Sequence, residues 1–233
     1  MIINWCGYEW LTQERWGQIH PEHPHQWYDP FAVIPNNDEL LLYAYKKPKY
    51  FPDLKITSPT AVGLVSCLEK FSYGTFELEA KMPKGKQTWP AFWMYSWSDW
   101  PPEIDVFESY SNNKQSYFKF RILRPLGFWN VQTCLHYRDN SGNHTMIKPK
   151  THWFGFKDPS TNYIKYKVEW FKDVINYYYN DRLVRTIKDS FILNQFKGQY
   201  MNVVINNAIS ETLNPDEAVS NIFKVKNFKY TPY

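Results

Sequence analysis

Over most of this chain, hydrophobic and polar positions alternate with a period of two. Phe76, Leu78, Ala80 and Met82 fall on one side and Glu77, Glu79 and Lys81 on the other, the pattern of a strand with one buried face. Tyr166, Val168 and Trp170 alternate in the same way with Lys165, Lys167 and Glu169. Val174 to Tyr179 and Leu183 to Ile187 flank Asn180-Asp181, a pair that tolerates positive φ, which predicts a hairpin. The turn Asn36-Asn37-Asp38 leads into an expected strand from Glu39 to Tyr45. Further strands are expected at Ser116 to Leu123, Val131 to Tyr137, Met201 to Asn206 and Phe223 to Tyr230. Pro83-Lys84-Gly85-Lys86 reads as a turn, and the first forty residues read as loop. Helical periodicity is confined to a turn around Asp216-Glu217-Ala218. The pattern predicts an all-β fold, two antiparallel sheets packed face to face in one domain over residues 1–233.

Two stretches depart from simple alternation. Trp89 to Trp97 is apolar on both faces, as in a central strand. Phe92 and Met94 would enter the core; Trp89 and Trp93 would line an open groove, unless both faces are core. The second stretch is Pro101-Pro102-Glu103-Ile104-Asp105-Val106-Phe107-Glu108. Strict alternation puts Glu103 and Asp105 on one face but sends Glu108 into the layer of Ile104 and Val106. An unpaired carboxylate there costs several kcal/mol or is forced neutral. One extra residue at Val106-Phe107, a β-bulge, returns Glu108 to the face of Glu103. Three carboxyls in a row would then share an open face. Such pairing raises the proton affinity of one acid while another stays ionised, the division of labour that glycoside hydrolysis needs.

Composition narrows the reading. Aromatic residues make up 19% of the chain, with eleven tryptophans, more than a core alone uses. The net charge of +4 comes from scattered lysines and arginines, which excludes a nucleic-acid stripe. Cys6, Cys67 and Cys134 are odd in number and lack metal-type spacing; buried thiols or at most one bridge are expected. In His20-Pro21-Glu22-His23-Pro24-His25 the prolines interrupt regular presentation, so the segment is expected as an exposed loop near the ligand rather than a metal site. No apolar run reaches membrane-span length, and the N-terminus lacks the basic region and apolar core of a signal peptide.

The ordered motifs resemble glycoside hydrolase family 16. They are Tyr73-Gly74-Thr75-Phe76-Glu77, Trp89-Pro90-Ala91-Phe92-Trp93-Met94, Glu103-Ile104-Asp105-Val106-Phe107-Glu108 in its bulged form, Leu135-His136-Tyr137, the Asn180-Asp181 hairpin and Val204-Ile205-Asn206. The resemblance covers about Leu40 to Tyr230. It implies a concanavalin-like jelly roll and a retaining endo-β-glycosidase that acts without a cofactor, outside the cell and as a monomer. By position it implies Glu103 as nucleophile, Glu108 as general acid/base and Asp105 as the helper between them. Trp89 and Trp93 would stack sugars on the donor side, and His136 would hydrogen-bond near the cleaved linkage. Trp27 and Trp100 are the other candidate sugar-binding residues. The position where several members bind calcium is Lys226, which argues against a metal. The implied substrate is laminarin or mixed-linkage glucan. Algal galactans (agarose, porphyran, carrageenan) and a non-catalytic carbohydrate-binding module are the alternatives.

Overall fold

The computed structural model describes residues 1–233 apart from 21, 85–86, 111–113, 156 and 211–220. Two sheets face each other. The acid-bearing sheet runs in the order β1 (Ile2–Trp5), β2 (Tyr8–Leu11), β7 (Leu64–Cys67), β17 (Met201–Ile209), β9 (Thr88–Ser96), β10 (Glu103–Ser109), β11 (Phe128–Arg138) and β12 (His144–Met146), with β13 (Lys150–Trp153) also paired to β11. The opposite sheet runs β16 (Arg182–Ile187), β15 (Ile175–Tyr179), β14 (Ile164–Trp170), β8 (Gly74–Lys81), β18 (Asn221–Pro232), β5 (Glu39–Phe51), β6 (Ile56–Val62) and β3 (Gln26–Tyr28), with β4 (Val33–Asn36) beside β5. Only β3 and β6 pair in parallel among the described strands. This is the expected all-β jelly roll of two sheets.

The period-two residues build the core between the sheets. Phe92 and Met94 of β9 and Ile104, Val106 and Phe107 of β10 meet Phe76 and Leu78 of β8, Tyr166 and Val168 of β14 and Phe223 of β18, all fully buried. The ring of Phe107 lies 4.3 Å from that of Tyr166. The β15–β16 hairpin turns at Asn180 and Asp181 with φ of 48° and 62°, as their sequence predicts.

The bulge falls where Glu108 requires it. Against β9, Asp105 pairs with Trp93 and Phe107 with Phe92, so Val106 is the extra residue. Against β11, Asp105 pairs with Cys134 and Glu108 with Gln132, three steps against two. Val106 and Phe107 both enter the core, and Glu108 emerges on the face of Glu103. The bulge also takes the Val106 carbonyl out of the ladder. Tyr179 of the opposite sheet donates its hydroxyl to that carbonyl at 3.2 Å, and Tyr177 donates to the Cys134 carbonyl at 3.0 Å.

Two expectations are corrected. Ser116 to Leu123 is not a strand; Lys114–Leu123 is a helix, α1. The edge of β10 that such a strand would need is occupied by β11, and the segment is rich in the good helix formers Lys, Gln, Arg and Leu. A 3-10 turn at Arg124–Leu126 then ends on Gly127 at φ 82°, where a Cβ would collide with the Gly155 carbonyl. The first forty residues are not simply loop. They form β1 to β4, with the β1–β2 hairpin turned by Cys6 and Gly7 at φ 52° and 81°. The cysteines are all free, with Cys67 and Cys134 buried. The turn expected around Asp216 lies outside the described residues, as do residues 85–86 of the Pro83 to Lys86 turn.

Tyr179→Phe removes one hydrogen-bond donor and leaves the buried Val106 carbonyl unsatisfied. The expected cost is about 1–3 kcal/mol of stability, read as a lower urea midpoint at unchanged denaturant slope. An unchanged midpoint would mean that Tyr179 does not support the bulge.

Candidate active site

The three acids project from the groove face of β10, at the centre of the acid-bearing sheet. Glu103 is 13% exposed at its side chain and Asp105 3%. Around them β9, the loop before β10 and the residue that follows β10 supply hydrogen-bond donors. Trp89 of β9 donates its indole N–H to Glu108 Oε1 at 2.9 Å, and the Tyr110 hydroxyl donates to the same oxygen at 2.8 Å. Trp100 donates its indole N–H to Glu103 Oε2. His136, the register partner of Glu103, brings Nε2 to 3.3 Å from Asp105 Oδ2 and 3.8 Å from Glu103 Oε1.

Burial dominates the electrostatics. It pushes Glu103 and Asp105 well above the usual carboxylate range and raises Glu108. The neighbouring negative charges add to it: Asp105 acts on Glu103, and Glu108 acts on Asp105. The N–H and O–H donors work in the other direction on Glu103 and Glu108. Three carboxylates held this closely cannot all ionise near neutral pH, so the cluster retains protons.

The groove face continues sideways from the acids. Trp93 donates to Asn206 Oδ1 at 2.7 Å and stacks on Tyr95 at 5.1 Å between ring centroids. The Tyr95 hydroxyl donates to Glu14 Oε2, and Arg15 donates to the Tyr95 oxygen, each at 3.1 Å. Glu14 is fully buried, and burial pushes it up to about 8. Trp89 is held on one face by Tyr110, stacked at 5.0 Å, and met edge-on by His23 at 5.6 Å, so the histidine loop does reach the groove. On the other side, His136 Nδ1 and His144 Nε2 share a hydrogen bond at 2.8 Å with nearly parallel rings, and Trp100 packs on His144 at 4.4 Å. Arg138 fixes the loop of Trp100 by donating to its carbonyl at 2.8 Å and to Asp99.

The structure thus brings together Glu103, Asp105, Glu108, Trp89, Trp93, Trp100 and His136. Trp27 is not among them. It is buried on β3 of the opposite sheet, where its indole N–H donates to the Lys47 carbonyl at 2.8 Å and its ring meets Phe51, so no face is left for a sugar. Lys226 sits over the Tyr163 ring and beside Glu79. Sequence reasoning missed Tyr110, Tyr95, Glu14, His144 and the support by Asn206. Two of these were accessible by alternation, since Tyr110 lies two residues past Glu108 and Tyr95 two past Trp93. Glu14 and His144 reach the site through turns and carry no such signal. Among the described residues, one trio, Asp105, Cys134 and His136, brings possible metal-ligand atoms within 4.8 Å of one another.

Two facing sheets with an acid-lined groove on one of them define a jelly roll with a candidate active site on its open face. The chain matches Glycosyl hydrolases family 16 over residues 29–219 and belongs to that family. It is 24% identical over 195 residues to endo-1,3-1,4-beta-glycanase ExsH of Rhizobium meliloti (strain 1021), covering 77% of this chain and 37% of that protein. The chain therefore spans little more than a third of this relative. Its fold is shared with a Bacteroides ovatus family 16 protein of a mixed-linkage glucan locus, solved with a G4G4G3G product (TM-score 0.72, 19% identity, 95% of this chain and 94% of the other). It is shared too with a laminarinase from Flavobacterium sp. UMI-01 (TM-score 0.67, 21% identity, 95% and 92%).

The crowded acids generate a prediction with a definite sign. A carboxyl whose affinity for protons is raised by folding binds more protons folded than unfolded above the unfolded pKa of about 4, so its contribution to stability declines as pH rises from there. Glu103→Gln removes that liability. The variant should melt above the parent at pH 7–8, and the gap should close toward pH 4. A gap independent of pH, or a less stable variant at pH 7–8, would contradict the assignment of burial as the dominant influence.

Proposed function

We propose that this chain is a retaining endo-β-glucanase that hydrolyses β-1,3 or β-1,3/1,4 linkages within laminarin or mixed-linkage glucan. The observation that carries the reading is the bulged β10, which sets Glu103, Asp105 and Glu108 on one groove face with separate donors for the two glutamates. Glu103 accepts the Trp100 N–H and has His136 nearby, and both oppose the rise that burial imposes on it. Asp105 is the more buried of the two and shares a hydrogen bond with Glu103 that raises Glu103 and lowers Asp105, so the pair holds a proton between its two carboxyls.

In the first step Glu103 attacks the anomeric carbon while Glu108 gives its proton to the departing glycosidic oxygen, forming a glycosyl ester and a free chain end. In the second, Glu108 takes a proton from water as that water attacks the same carbon and releases Glu103, restoring the original configuration. Both acids are reused and no cofactor enters. Trp93, with its N–H held by Asn206 and Tyr95 stacked beside it, presents apolar area to pyranose C–H faces. The glucan reading is supported by ExsH and by the two structural relatives. A polymer of this size is met outside the cell, which is where we place the activity.

Reducing-sugar release from laminarin, lichenan, agarose and carrageenan, each against Glu103→Gln, tests the reading. Cleavage of laminarin or lichenan alone is expected; cleavage confined to the galactans would change the substrate, and cleavage of none would remove the enzyme. For the roles, Glu103→Ala should be inactive on polysaccharide yet form a glycosyl azide of inverted configuration when azide is added. Glu108→Ala should still attack aryl glycosides with good leaving groups. Rescue in the opposite pattern would exchange the two assignments.

A further inference from the structure

Beneath the acids lies a second constellation of donor atoms. Asp105 pairs across the ladder with Cys134, and His136 pairs with Met146 on the next strand. Cys134 and His136 are two residues apart on β11, so the two pairs are neighbours on one sheet face. The ligand atoms of Asp105, Cys134 and His136 all lie within 4.8 Å of one another, and Cys134 Sγ is 3.6 Å from Met146 Sδ. Asp105 Oδ2 is 3.3 Å from His136 Nε2, is buried, and has no hydrogen-bond partner.

We propose that Asp105, Cys134, His136 and Met146 form an inhibitory binding site for a thiophilic d10 cation such as zinc or cadmium. Tetrahedral zinc with bonds of about 2.0 Å to N and O and about 2.3 Å to S places its ligand atoms roughly 3.3–3.8 Å apart. The Asp105–His136 and Cys134–Met146 separations already have these values, so the ion asks for contraction only between the two pairs. A thiolate and a thioether select soft ions over calcium or magnesium. The second ring nitrogen of His136 is engaged by His144 at 2.8 Å, the outer support that holds a ligating imidazole in orientation and tautomer. Glu103 and Glu108 add negative charge nearby. Entry is from the groove past Met146, which is 49% exposed.

The ion would occupy the carboxyl that serves Glu103 and draw His136 away from it. Inhibition follows from that loss and rests on the glucanase reading, whereas binding does not. The native protein is titrated with cadmium chloride while the thiolate-to-cadmium charge-transfer band is followed, and laminarin hydrolysis is measured on the same samples with and without chelator. Cys134→Ala, a position outside the catalytic machinery, should keep its activity and lose the band. It should need at least tenfold more cadmium for half-inhibition. Met146→Leu, at a partly exposed position that tolerates the change, should weaken both readouts and guards against misfolding of the first variant. A band unchanged in Cys134→Ala would place the metal on Cys6 or Cys67 and overturn the site. A band lost from Cys134→Ala with inhibition unchanged would overturn the inhibitory link. If laminarin is not a substrate, the band still decides the binding.

Discussion

The candidate site depends on a single extra residue. With β10 in regular register, Glu108 would enter the core layer of Tyr166 and Phe223, where a carboxylate has no partner. Inserting Val106 returns Glu108 to the groove, but only because the rest of the sandwich absorbs the insertion. Val106 and Phe107 both fill core volume, and the carbonyl that leaves the ladder accepts the Tyr179 hydroxyl. The groove on one sheet is therefore held in shape by a strand of the other. Tyr177 acts on the adjacent strand in the same way, so β15 supports both the acids and the register partner that faces them.

Donor placement then separates three otherwise similar carboxyls. Desolvation alone would raise them all and distinguish none. Glu108 receives two donors on one oxygen, which leaves its other oxygen for the groove. Glu103 receives one donor from a loop residue, Trp100, and that loop is fixed in turn by Arg138 at the end of β11. Asp105 receives none of these. The three carboxyls thus differ through their neighbours as well as through burial.

What could be read in the sequence was whatever obeys period two. The strands β8 and β14 and the positive-φ hairpin at Asn180-Asp181 follow from alternation and turn chemistry, while β9, apolar on both faces, was placed as a central strand by its departure from alternation. The bulge was legible because Glu108 violates that alternation at a position where the violation is expensive. Less was legible wherever contacts come from chain segments distant in sequence. Trp27 looked available because it follows the histidine loop, yet its partner is the Lys47 carbonyl on a different strand. The strand expected at Ser116 to Leu123 failed for a related reason: its local pattern fits a strand, but the neighbouring sheet edge was already taken.

The groove walls differ in kind, and this follows from how each is built. On the β9 and β17 side, aromatic rings are locked by side chains of regular strands, as in the Trp93–Asn206 bond, so their positions are tied to the core. On the β11 and β12 side, His136, His144 and Trp100 hold one another through a hairpin and a loop that lie outside the core. The second wall can change without the first, because a hairpin or loop alters without repacking the sandwich. The acids are therefore held by the bulge and the rigid wall, whereas the wall made of loops, where alternation is silent, is the part of the groove least tied to the core.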